Sequence, residues 1–111
     1  MHWIHLKDEE QLNQIITNSH NKPQVIFKHS TRCSISSVAL QRLQKVQQPP
    51  DIDFYLLDLI AHRSVSQKIA AVFKVHHESP QVLLIRDGVC VYDESHLGIS
   101  MNEIVESAQA A

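Results

Sequence analysis

Glycine is scarce: the 111-residue chain has only Gly88 and Gly98. A phosphate-cradling loop or a dinucleotide fingerprint needs several glycines close together, so neither can be built. Cysteine is equally scarce, with Cys33 and Cys90 alone. Two distant cysteines make no disulfide framework. A basic surplus is missing too. Ten Lys and Arg face twelve Asp and Glu, a formal charge of −2, which weighs against gripping a phosphate backbone. No apolar run approaches the roughly 20 residues of a membrane-spanning helix, and the N-terminus lacks a signal-peptide pattern. The expectation is one cytoplasmic domain over residues 1–111, with no nucleic acid or membrane as partner. The hydrophobic share, 43%, is ordinary for a globular chain. Histidine is the exception, at eight.

Hydrophobic patterning predicts nine elements. His2 to Leu6 reads as a short strand. Asp8, Glu9 and Glu10 place acid at a helix start, and Leu12, Ile15 and Ile16 give that helix its apolar face. Gln24 to Lys28 is a compact buried strand. Ile35, Val38, Ala39, Leu43 and Val46 share one face of a second helix, which Pro49-Pro50 stops. Ile52 to Leu59 is apolar on both faces, the mark of a covered strand. Ser64 and Gln67 read as a capping box before a third helix with Val65, Ile69, Val72 and Phe73 inside. Val82 to Ile85 is another covered strand. Asp87-Gly88 signals a hairpin to the return strand Val89 to Tyr92. A second capping box, Ser100 to Glu103, opens the last helix, with Ile99 and Ile104 as its hydrophobic staple. The order β-α-β-α-β-α-β-β-α implies a mixed sheet of four to five strands with helices on both faces. This α/β description fits the thioredoxin architecture, which leaves function to be argued from the site.

Cys33 falls between a buried strand and a helix start. Unpaired N–H groups and the helix dipole favour a thiolate there, and Arg32 adds a neighbouring cation. Its flanks are polar, which predicts an accessible thiol; a packing cysteine is the alternative. Dithiol oxidoreductases of this fold carry a second cysteine three residues on, which resolves the mixed disulfide. Here that residue is Ser36. Its hydroxyl can donate to the Cys33 thiolate but cannot resolve a disulfide, so the expected chemistry is monothiol. Thr31, Ser34 and Ile35 surround the thiol as expected substrate contacts. Cys90, between Val89 and Val91 in a strand, reads as a buried, inert thiol.

The loop His76-His77-Glu78-Ser79-Pro80-Gln81 precedes the fourth strand. In this architecture it faces the cysteine. Ser79-Pro80 is expected to be a cis bond, leaving the Ser79 backbone free to pair with substrate. A trans proline that merely starts a strand is the alternative. His77 is a further candidate site residue, because an imidazolium near Cys33 would favour its thiolate.

The run Phe27-Lys28-His29-Ser30-Thr31-Arg32-Cys33-Ser34-Ile35-Ser36 resembles the active-site segment of the bacillithiol-system thioredoxin-like proteins, the YtxJ family. His77-Glu78-Ser79-Pro80-Gln81 resembles that family's second signature. Ser95-His96 with Ile99-Ser100 resembles the third more weakly. The resemblance implies a bacterial, cytosolic monothiol protein with Cys33 as redox cysteine. It implies bacillithiol as co-substrate, no bound cofactor, and client proteins carrying mixed disulfides. Family members usually have proline directly after the cysteine, where this chain has Ser34. Proline there stiffens the helix start and lacks an N–H.

Two other readings remain open here. Metal or iron–sulfur cluster binding would require His29, Cys33, His76 and His77 to converge. A non-catalytic interaction module would keep the fold and leave the thiol incidental.

Overall fold

The computed structural model describes residues 1–110. The elements are β1 (Trp3–His5), α1 (Glu9–Asn18), β2 (Gln24–His29), α2 (Ser34–Gln44), β3 (Asp53–Asp58), α3 (Arg63–Phe73), β4 (Gln81–Arg86), β5 (Val89–Ser95) and α4 (Met101–Gln109). A short 3-10 turn at His96–Gly98 precedes α4. The strands form one mixed sheet in the order β1-β3-β2-β4-β5. β1 and β2 run parallel to β3, whereas β4 is antiparallel to β2 and β5.

Strand alternation divides the buried residues between two faces. Ile26, Tyr55, Leu57, Leu83 and Ile85 pack under α1 and α3 against Leu12, Ile15, Val65, Ile69 and Phe73. Val25, Phe27, Phe54, Val82 and Leu84 pack under α2 and α4 against Ala39, Leu43, Met101 and Ile104. Every residue of β2 is buried, because it is central and covered on both sides. β5 lies at an edge and alternates between exposed and half-buried residues.

Local chemistry sets the element ends. Asp8 caps α1 by accepting from Gln11 N at 2.8 Å, and Gln11 Oε1 accepts from Lys7 N at 2.7 Å. Asp87 and Gly88 both take positive φ, 51° and 79°, as a tight hairpin turn between right-twisted strands requires. Ser100 Oγ accepts from Glu103 N at 3.2 Å, and Ile99 and Ile104 are both fully buried. The Glu103 carboxylate does not return to the cap; it accepts from Tyr92 Oη at 2.9 Å.

Three expectations are corrected. First, the inner face of α2 is Ser36, Ala39 and Leu43, while Ile35, Val38 and Val46 are exposed. The helix turns Ser36, Ala39 and Leu43 to the sheet and ends at Gln44, well before Pro49, so Val46 lies outside it. Second, Ser64 and Gln67 form no capping box. Asp58 Oδ1 accepts from Ile60 N and Ala61 N, which starts the turn early; the cap position falls on His62 and makes no side-chain cap bond. Third, Val72 is exposed and Ser66 is buried, so the inner face of α3 is Val65, Ser66, Ile69 and Phe73.

Candidate active site

The C-terminal ends of β2 and β3 and the start of β4 share one end of the sheet, where Lys28 pairs across to Gln81. Topology therefore brings the His29–Cys33 segment beside the His76–Pro80 loop. Cys33 is the N-cap residue of α2, with extended backbone angles and no side-chain cap bond. The first-turn amides of α2 are thus not satisfied by a capping side chain. Cys33 is half-buried, and its N–H donates to Ser30 O at 3.2 Å. Thr31, Arg32, Ser34 and Ile35 around it are exposed.

Ser36 is turned away from solvent, with no exposed surface. Its Oγ lies 2.6 Å from His29 Nδ1 and accepts from Ser30 N at 3.0 Å. The hydroxyl is committed to β2 and the loop behind it, and no hydrogen bond joins it to Cys33. The sequence pattern ends this strand at Lys28, yet His29 is the last residue of β2 and buried. Burial lowers its pKa, and Asp58 offsets this only in part.

Gln81 ties the opposing loop by donating from Nε2 to His76 O at 3.0 Å. The Ser79–Pro80 bond is cis, and Pro80 is buried. Ser79 Oγ is buried without a hydrogen-bond partner. Pro80 O accepts from His96 N at 2.9 Å, and His96 Nε2 lies 3.6 Å from Glu78 Oε2. The third sequence signature therefore packs onto the second. His77 belongs to the opposite face of the sheet from Ser36. Its Nδ1 lies 3.2 Å from Nζ of Lys28, a lysine with no exposed surface. Burial pushes the Lys28 ammonium down to about 8. Partial burial and then Lys28 lower the His77 imidazole, so His77 is no standing cation beside Cys33.

Cys90 packs partly against the α1/α3 core, donates from Sγ to Tyr92 O at 3.3 Å, and has its pKa raised by burial to about 11. It pairs with Ile85, whose other neighbour Gln24 begins β2. Cys90 thus sits at the far end of the sheet from Cys33, and both thiols are free. The four residues invoked for a metal do not converge. His29 engages Ser36 on one face and His77 engages Lys28 on the other. Among the described residues, no group of three or more His, Cys, Asp and Glu side chains could hold a metal ion.

The structure thus brings Cys33, Ser36, Arg32, Thr31, Ser34 and Ile35 into one helix start, and Ser79 and Pro80 into the neighbouring loop. Lys28 and the contact between His29 and Ser36 escaped the sequence reading. Lys28 offered a signal, a lysine inside a strand otherwise apolar on both faces. The His29–Ser36 contact offered none, since it depends on which face of α2 turns inward.

The chain matches the model of the monothiol bacilliredoxin BrxC family over residues 4–104. Its backbone is similar to that of a candidate oxidoreductase with a thioredoxin fold, with TM-score 0.82 and 32% identity, covering 94% of this chain and 91% of that one. It is also similar to oxidised mitochondrial thioredoxin 3 of Saccharomyces cerevisiae, at TM-score 0.74, 17% identity and coverage of 96% and 93%. The thioredoxin of Malassezia sympodialis matches at TM-score 0.72, 14% identity and coverage of 97% and 94%. The last two establish the fold alone. No helix among the described residues is long and apolar enough to cross a membrane. With a thioredoxin fold and a family match spanning nearly its whole length, the chain belongs to the monothiol bacilliredoxin family, a family of thiol redox proteins.

Proposed function

We propose that the protein is a cytoplasmic oxidoreductase that removes or transfers bacillithiol on client proteins through Cys33 alone. One observation carries this reading. Cys33 occupies an uncapped helix start within reach of solvent, while the residue three positions on is a serine sealed under the helix. The other cysteine lies at the opposite end of the sheet, so resolution falls to an outside thiol.

The Cys33 thiolate attacks the bacillithiol sulfur of a client mixed disulfide. A new S–S bond joins Cys33 to bacillithiol, and the client sulfur leaves as a thiolate. A second bacillithiol thiolate then attacks the bacillithiol sulfur on Cys33. Bacillithiol disulfide departs, and the Cys33 thiolate is regenerated. Both steps take place at the N-terminal end of α2, whose first-turn amides have no side-chain cap, with the exposed Arg32 next in sequence. Thr31, Ser34, Ile35 and the backbone of Ser79 form the surface that receives the client.

The test offers purified protein the disulfides of bacillithiol, glutathione, cysteine and coenzyme A, with intact-mass detection. Cys33→Ser and Cys90→Ser run alongside. The reading expects the fastest adduct with bacillithiol, retained in Cys90→Ser and lost in Cys33→Ser. No adduct at Cys33 with any disulfide would leave the protein a non-catalytic module.

A further inference from the structure

A recess opens at the active-site end of the sheet, on the face opposite α2. It has a volume of about 320 Å3 and is lined by Leu59, Arg63, Ser66, Gln67, Ala70 and His77. Arg63, Ser66, Gln67 and Ala70 fall on one face of α3. Leu59 N donates to His29 O at 3.0 Å, and the ring of His29 meets Ser36 in the first turn of α2. The recess and the thiol therefore flank the end of β2 from its two sides.

The lining is rich in donors and free of acid. It contains Arg63, His77, Ser66 and Gln67 and no carboxylate, in a chain whose formal charge is −2. Glu78, beside His77 in sequence and near enough to act on its ring, lies 3.6 Å from His96 and is not part of the lining. Among the described residues, Arg63 pairs with no carboxylate. It stands in the first turn of α3, which holds no acidic residue, at the helix end where the dipole disfavours a cation. Helix stability therefore does not account for it. A second observation is independent of charge. Ser66 Oγ is buried, with the residue only 4% exposed, and has no hydrogen-bond partner. A buried hydroxyl without a partner is costly, and an acceptor bound in the recess would remove that cost.

We propose that this recess holds the carboxylate end of the small thiol that exchanges at Cys33, with Arg63, Ser66 and Gln67 as its donors. The inference rests on the bacillithiol reading above. Bacillithiol carries its carboxylates at the end away from its sulfur. The volume lies at the small end of the range for small-molecule sites, about 300–1,000 Å3, which favours part of a small ligand over a client segment.

The test separates binding from exchange by using S-methyl bacillithiol, which cannot form a disulfide. NMR titration of the full chain should shift Arg63, Ser66, Gln67 and His77 with saturation. Arg63→Ala should weaken binding about tenfold or more, the loss typical of one charge-assisted hydrogen bond. Lys68→Ala, which removes a like charge from the same helix, should leave affinity within twofold. Absence of saturable binding, shifts confined to residues 31–36, or an equal loss in Lys68→Ala would overturn the inference. Exchange of bacillithiol disulfide at Cys33 in the same sample reports on the proposed function separately. Exchange without shifts in the recess refutes the recess alone, and shifts without exchange refute the function alone.

Discussion

Ser36→Ala tests the claim that this serine is a locked structural element. Its Oγ is fully buried and serves two partners, His29 Nδ1 at 2.6 Å and Ser30 N at 3.0 Å. Removing it strands a ring nitrogen and a backbone N–H in a dry site. Each orphaned polar group costs about 1–3 kcal/mol, so the two together are expected to cost about 2–6 kcal/mol. An unfolding entropy of about 2.1 cal/mol/K per residue over 111 residues converts this to a fall in Tm of about 9–26 °C. Differential scanning calorimetry measures it, with Ser37→Ala as a control on the same helix. A fall below about 2 °C in Ser36→Ala would refute the reasoning, because a hydroxyl free to turn toward Cys33 costs little to remove.

Lys28 is held with its pKa near 8, below its ordinary value of 10.5. The folded state therefore binds fewer protons than the unfolded state between these values, and Lys28's contribution to stability rises with pH across that window. Below pH 8 its burial cost is fully present, about 3 kcal/mol from the size of the shift. Lys28→Met should be more stable than wild type at pH 7, with the gain shrinking by pH 10; an equal separation of the two urea midpoints at both pH values would contradict this. Cys90, with its pKa near 11, should resist iodoacetamide at pH 8 while Cys33 is alkylated, and equal labelling by peptide mass spectrometry would count against it. Ser100→Ala should cost about 1 kcal/mol through loss of the α4 cap, visible as a fall in Tm of about 4 °C. Ser36→Cys should permit an internal disulfide with Cys33, read as a loss of two hydrogens in the oxidised intact mass; an oxidised mass that keeps both thiols would refute it.

The fold was legible because its signals are local and mutually consistent. Covered strands read as continuous apolar runs, and Asp87-Gly88 and Ser100 through Glu103 announce their turn and cap by chemistry alone. What stayed hidden depends on neighbours distant in sequence. The sheet-facing side of α2 carries Ser36 with Ala39 and Leu43; apolar periodicity found the last two but took Ile35 and Val38 in place of the polar Ser36. The cap of α3 moved because Asp58, outside the helix, organises the preceding turn. At the site, the position of Cys33 followed from strand, loop and helix order. The commitment of Ser36 to His29 did not, because it needs the pairing of β2 with α2 in space. By sequence the Ser36 hydroxyl can donate to the thiolate, whereas folding buries it against His29 and Ser30.

The central claim is that one thiol, Cys33, carries the exchange without an internal partner. The direct measurement is intact-mass spectrometry of the protein mixed with a client protein bacillithiolated at a single site. The account predicts one bacillithiol on Cys33, released client thiol in equal amount, and clearance of the adduct when reduced bacillithiol is added. A disulfide between Cys33 and the client, transfer to Cys90, or unchanged transfer by Cys33→Ser would contradict it.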